Sequence, residues 1–98
     1  MFVKIHEAYR NILAVADSDL IGKTFEEGIR QIEVKESFFK GDQKTREELL
    51  EIMQNFDTND ATFNIVGNNA ITTALEAGII KKHGVMKIGN VPVALGLF

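Results

Sequence analysis

Near the start of the chain, Val3 and Ile5 alternate with Lys4 and His6, which predicts a half-exposed strand over residues 2–8. A second run, Ile12-Leu13-Ala14-Val15-Ala16, is apolar at every position and predicts a strand at the middle of a sheet. Tyr9-Arg10-Asn11 joins the two, so they read as an N-terminal β-hairpin. Asp17-Ser18-Asp19 offers capping side chains for a short helical turn that Gly22 stops. After Gly28, residues 29–34 read as a further strand with Ile32 and Val34 on one face. Thr45-Arg46-Glu47-Glu48 is a capping box, a hydroxyl for the helix donors and a glutamate three residues on that reaches back. Leu49, Ile52, Met53 and Phe56 follow at helical spacing, which lays one apolar stripe of that helix on the sheet.

The densest local code lies further on. Phe63-Asn64-Ile65-Val66 reads as a strand, Gly67 as a tight turn, and Asn68-Asn69 as the start of a helix that Gly78 closes. Residues 85–88 give another strand, Gly89-Asn90 a turn, and residues 91–95 a last segment in which Pro92 suits an edge strand or an extended tail. Passing from strand to helix within one or two residues requires positive φ at Gly67, or a site where a side chain would strike the helix. The resulting expectation is an α+β fold in one domain, residues 1–98. It has an N-terminal β-hairpin and a mixed sheet, two main helices packed on it, and a βαβ-like C-terminal half.

Composition changes this picture by exclusion. At 98 residues and 45% hydrophobic content the chain can bury a core without staples. It has no cysteine, which removes disulfides, thiolate metal sites and cysteine nucleophiles and fits a reducing cytosol. The opening Met1-Phe2-Val3-Lys4 does not resemble a signal peptide, and no uncharged apolar run approaches the roughly 20 residues of a bilayer span. A soluble, cytoplasmic protein without a membrane partner is expected. The net charge of −3 gives no bulk attraction to nucleic acid. The charge is uneven, however. Residues 41–63 set Lys44 and Arg46 against six carboxylates, whereas residues 64–98 set Lys81, Lys82 and Lys87 against Glu76 alone.

Three places hold candidate chemistry. At Gly67, Asn68 and Asn69, exposed N–H groups at a helix start can hold an anion, or an asparagine side chain can simply cap them. No phosphate-loop or dinucleotide fingerprint accompanies the turn. Lys81-Lys82-His83 with Lys87 is the one positive cluster, fit either to meet RNA phosphates, with Lys23 as a further contact, or to remain a solvated loop. Aromatic support for base stacking is thin, because the Phe residues fall at core-like spacings. The end Leu95-Gly96-Leu97-Phe98 is apolar and must pack on its own core or on a neighbour. Catalysis has little to work with: His6 and His83 are the only histidines, and neither Ser18 nor Ser37 lies in a nucleophile context, so a small-molecule enzyme using the helix-start pocket is only a third reading. No metal or cofactor is expected, since Asp57-Thr58-Asn59-Asp60 lacks the glycine and terminal glutamate of a calcium loop.

Leu20-Ile21-Gly22-Lys23-Thr24-Phe25-Glu26-Glu27-Gly28, Ile32-Glu33-Val34, Asn64-Ile65-Val66-Gly67 and Ile88-Gly89-Asn90-Val91-Pro92 follow one another in an order that resembles a small archaeal family. That family is the domain of unknown function numbered four hundred and twenty-four. The resemblance spans nearly the whole chain, and the tail from Val93 to Phe98 departs from it. It implies a short archaeal cytosolic protein near RNA or the translation apparatus, and it brings no established active site. The expected function is therefore a non-enzymatic interaction module, RNA- or translation-associated. The alternative is a protein–protein or homodimerisation module using the C-terminal edge strand and apolar tail.

Overall fold

The computed structural model describes residues 1–98. Strands β1 (Phe2–His6) and β2 (Asn11–Ala16) pair antiparallel, with Val3 opposite Val15 and Ile5 opposite Leu13. A 3₁₀ turn at Ser18–Leu20 leads to β3 (Thr24–Glu27) and β4 (Arg30–Glu33), an antiparallel ribbon closed by Gly28 and Ile29. A one-turn helix α1 (Glu36–Phe39) and a two-residue strand β5 (Asp42–Gln43) precede helix α2 (Arg46–Asn55). Strand β6 (Ala61–Val66), helix α3 (Asn68–Ala77), a 3₁₀ turn at Lys82–Gly84, β7 (Met86–Ile88) and β8 (Val91–Leu97) complete the chain.

The main sheet runs β5-β1-β2-β6-β8-β7. Only β2 and β6 are parallel neighbours, and every other pair is antiparallel, so the sheet is mixed. Period-two alternation sorts the side chains to two covered faces. On one face Val3, Leu13, Val15, Ile65 and Ala94 meet Leu49 and Met53 of α2 and Ala70, Ile71 and Ala74 of α3. On the other, Ala14, Ala16, Val66, Val93 and Ile88 meet Ile32, Val34 and Phe39, which the ribbon and α1 bring in. That is why β2 is apolar throughout: Leu13, Ala14, Val15 and Ala16 are all fully buried, alternately under helices and under ribbon.

The expected α+β architecture, hairpin, mixed sheet and two main helices are all present. The capping box forms: Glu48 N–H donates to Thr45 Oγ1 at 3.2 Å and Thr45 N–H to Glu48 Oε1 at 3.0 Å. The Thr45 backbone N–H first, then the Thr45 hydroxyl, with nearby Lys44 adding to them, hold the Glu48 carboxyl below its ordinary range. An Arg46–Glu76 ion pair ties α2 to α3 across the solvent side.

The strand expected after Gly28 is present as β4; it pairs with β3, and the ribbon lies across the second face. The βαβ-like half is present, with β6 and β7 parallel and antiparallel β8 between them. One expectation needs correction: the segment around Pro92 is not an edge, since β7 flanks it. The proline is tolerated there because Gly67 N–H donates to Pro92 O at 2.9 Å while Gly67 O accepts from Ile71 N–H inside α3. No acceptor waits opposite the missing N–H of the proline.

Candidate functional site

The junction of β6 and α3 is built by parallel pairing. Ala16 lies beside Val66, so the next residue of each strand, Asp17 and Gly67, emerge side by side. Asp17 N–H donates to Val66 O at 3.0 Å, and the buried Asp17 carboxylate turns across the start of the helix. Asn69 N–H donates to its Oδ2 at 3.1 Å and Ala70 N–H to its Oδ1 at 2.8 Å. Gly67 takes φ 111° and ψ 156°, a region essentially reserved for glycine. A Cβ on it would stand 2.4 Å from Asp17 Cγ. Both grounds given for a glycine at this turn hold: positive φ, and no room for a side chain, although the obstacle is Asp17 and not the helix.

This arrangement corrects the anion-binding expectation for Gly67, Asn68 and Asn69. The helix start does hold an anion, but the anion is the protein's own carboxylate, reached from 52 positions earlier in the chain. Neither asparagine side chain caps the helix. A second anion would meet a negative group where the free donors were expected. Asp17 likewise does not cap the 3₁₀ turn that follows it.

A second feature lies at the other end of the helical layer. The carboxyl ends of α2 and α3, the 3₁₀ turn at Lys82–Gly84 and the end of β8 enclose an open cleft of about 610 Å³. Its apolar floor is aromatic. Phe56 ends α2, Phe63 projects from β6 toward the helices, and Phe98 follows β8, anchored by its N–H to Ala61 O at 3.1 Å. The Phe63 and Phe98 rings lie 4.7 Å apart between centroids, and Phe56 and Phe98 5.7 Å, the range of tilted aromatic packing. Lys81 and His83 border the same cleft, and no Asp or Glu does. The Lys81 ammonium thus borders a half-exposed apolar surface.

The expected lysine set is thereby divided. Lys81 is at the cleft and exposed Lys82 is beside it in the same turn. Lys87 is exposed in the middle of β7 and does not line the cleft. Lys23, whose carbonyl accepts from Val34 N–H at 2.8 Å at the base of the ribbon, belongs to the layer on the opposite side of the sheet. Arg30 opens β4 in that same layer. The aromatic floor escaped sequence reading because its rings come from a helix stripe, a strand and a chain end. The unusually apolar tail was the one signal that pointed to it.

The remaining polar candidates serve the fold. His6 stacks on Phe38 with centroids 4.5 Å apart and donates through Nε2 to Phe38 O at 2.8 Å, pinning α1 to β1. Asn59 N–H donates to Asp57 Oδ1 at 3.0 Å, which makes the acidic loop an Asx turn. No helix is long and apolar enough to cross a membrane.

A crystal structure described as that of an uncharacterized conserved protein from Methanopyrus kandleri is similar to this chain, with a TM-score of 0.83 and 21% identity. The alignment covers 97% of this chain and 88% of that one, so the fold is shared over essentially its full extent. Among curated proteins none matches the chain. Residues 6–96 match the family described as "Protein of unknown function (DUF424)", and the chain belongs to that family.

Proposed function

We propose that this protein is a non-enzymatic interaction module that binds a short stretch of single-stranded RNA in the cleft between the ends of α2, α3 and β8. The observation that carries the reading is the joint placement of Phe56, Phe63 and Phe98 with Lys81 and His83 in one cleft that no Asp or Glu side chain lines. Single-stranded nucleic acid is held by stacking of bases on aromatic rings, about 1–3 kcal/mol per base, and by cations tracking the phosphates. The cleft offers both, and on a chain of net charge −3 a local site of this kind is what RNA contact requires. Lys81 and Lys82 take phosphate oxygens, and a base lies over the exposed ring edges.

The test is fluorescence anisotropy with a labelled single-stranded oligoribonucleotide, repeated over a range of salt. Two phosphate contacts give a slope of log K against log salt of about −1.4. Lys81→Glu with Lys82→Glu abolishes binding and leaves the thermal midpoint near that of the parent, since both side chains are exposed. Absence of binding at low salt, or binding indifferent to the charge reversal, removes this reading.

A further inference from the structure

The far half of β8 has an unpaired edge. Gly67 N–H to Pro92 O and Phe98 N–H to Ala61 O set the phase of the ladder, so Pro92, Ala94, Gly96 and Phe98 direct their backbone groups toward β6. Val91, Val93, Leu95 and Leu97 direct theirs the other way. Strand β7 meets Val91 and Val93, through Ile88 and Met86, and goes no further. The N–H and C=O of Leu95 and of Leu97 have no partner in the ladder at this sheet edge. Their side chains are also exposed, 42% for Leu95 and 63% for Leu97, large values for leucine in a strand.

Edges are ordinarily guarded by charge, by a bulge or by shortness. The two outer strands follow that rule: β5 has two residues and carries Asp42, and β7 has three and carries Lys87. Residues 91–98 contain no charged side chain at all. The open segment, Leu95-Gly96-Leu97, reads the same in both directions about Gly96.

We infer that this edge pairs with the same edge of a second copy of the chain, antiparallel, about a two-fold axis at Gly96. Register decides the matter. With Gly96 opposite Gly96 of the second copy, each Leu95 faces the other copy's Leu97, and both pairs are hydrogen-bonded pairs. All the free N–H and C=O groups of Leu95 and Leu97 are then satisfied together. Centring the axis on Leu95 instead sets Leu97 against Val93, whose groups already belong to Met86. Centring it on Leu97 gives Leu95 no partner among residues 91–98 of the second copy. In the Gly96 register the four leucines form one apolar cluster on the face away from α2 and α3, and the two six-stranded sheets become continuous. The inference stands independently of RNA binding.

The test is the molar mass by light scattering over a wide concentration range, with amide hydrogen exchange at both extremes. The mass rises toward twice the 10.9 kDa of one chain at high concentration, and the Leu95 and Leu97 amides become protected there and exchange freely on dilution. Leu95→Lys, which retains the ladder to β6, weakens association at least tenfold. A single-chain mass at every concentration overturns the inference, as does a dimer in which the Leu95 and Leu97 amides stay unprotected. A Leu95→Lys dimer of unchanged strength overturns it too.

Discussion

Gly67→Ala is the perturbation on which the reading of the β6–α3 junction depends most directly. Two costs arise from the structure. At φ 111° and ψ 156° an alanine sits in a region that costs about 1–3 kcal/mol, here taken as about 2. Its Cβ would also stand 2.4 Å from Asp17 Cγ, so the carboxylate must withdraw. Withdrawal breaks the bonds from Asn69 and Ala70 N–H at 3.1 and 2.8 Å. Hydrogen bonds to a charged acceptor are worth about 1.5–3 kcal/mol, and solvent reaching a frayed helix start returns part of that, leaving about 2 kcal/mol. The sum is about 4 kcal/mol, a large share of the 5–15 kcal/mol typical of a domain.

The two costs are separable by a double-mutant cycle. Asp17→Ala alone loses the cap, about 2 kcal/mol, and removes the Cγ and Oδ2 contacts, leaving for Gly67→Ala the backbone strain and the Cβ of residue 17, 2.8 Å from the new Cβ. Gly67→Ala in the Asp17→Ala background therefore costs about 2 kcal/mol of strain plus the relief of that Cβ contact, still less than in the parent, where the cap is lost as well. Urea unfolding at constant m-value measures all four corners. Equal costs of Gly67→Ala in both backgrounds, within about 0.5 kcal/mol, would show that Asp17 does not occupy the helix start and would refute the account.

Two further outcomes follow from particular contacts. Ala16 is fully buried beneath the ribbon, in one cluster with Ile32, Val34 and Phe39, so Ala16→Leu overpacks that layer and lowers stability by about 1–3 kcal/mol in the same urea assay. The Glu48 carboxyl is held below its ordinary range by its bonds to Thr45, so the box contributes fully above the unfolded carboxylate range and its contribution fades as pH falls through the depressed folded value. Glu48→Gln therefore flattens the acid limb of stability against pH relative to the parent, and an unchanged limb counts against the box as its source.

What the sequence made legible is what neighbours in the chain decide. The capping box, the hairpin, the apolar β2 and the positive φ of Gly67 each depend on residues a few positions apart, and each is present. What it concealed depends on register between distant strands. Nothing local marks Asp17 as the cap of a helix that begins 51 positions later; its role follows from Ala16 lying beside Val66. The β3–β4 ribbon was hidden for another reason. Thr24-Phe25-Glu26-Glu27 has one apolar residue, Phe25, which pairs with Ile32, so pairing and not alternation defines that strand. The cleft was concealed because Phe56, Phe63 and Phe98 look like core residues one by one.

The two surfaces proposed for binding are set apart by the alternation of one strand. Side chains and ladder groups both change side at every residue of β8. Gly96 and Phe98 belong to the helix-covered side, where the absence of a side chain at Gly96 leaves room for the Phe63 ring, 3.5 Å from where a Cβ would stand. Leu95 and Leu97 belong to the opposite side, with backbone groups at the open edge, and Leu97 also touches the rim of the cleft. Aromatic floor and self-complementary edge thus occupy the same four residues without competing for the same atoms. A substitution at Leu95 reports on pairing with the cleft intact, and one at Lys81 reports on the cleft with the edge intact. Effects that refuse to separate along this line would mean that pairing and ligand binding are a single event, with the second copy completing the groove beside Phe98.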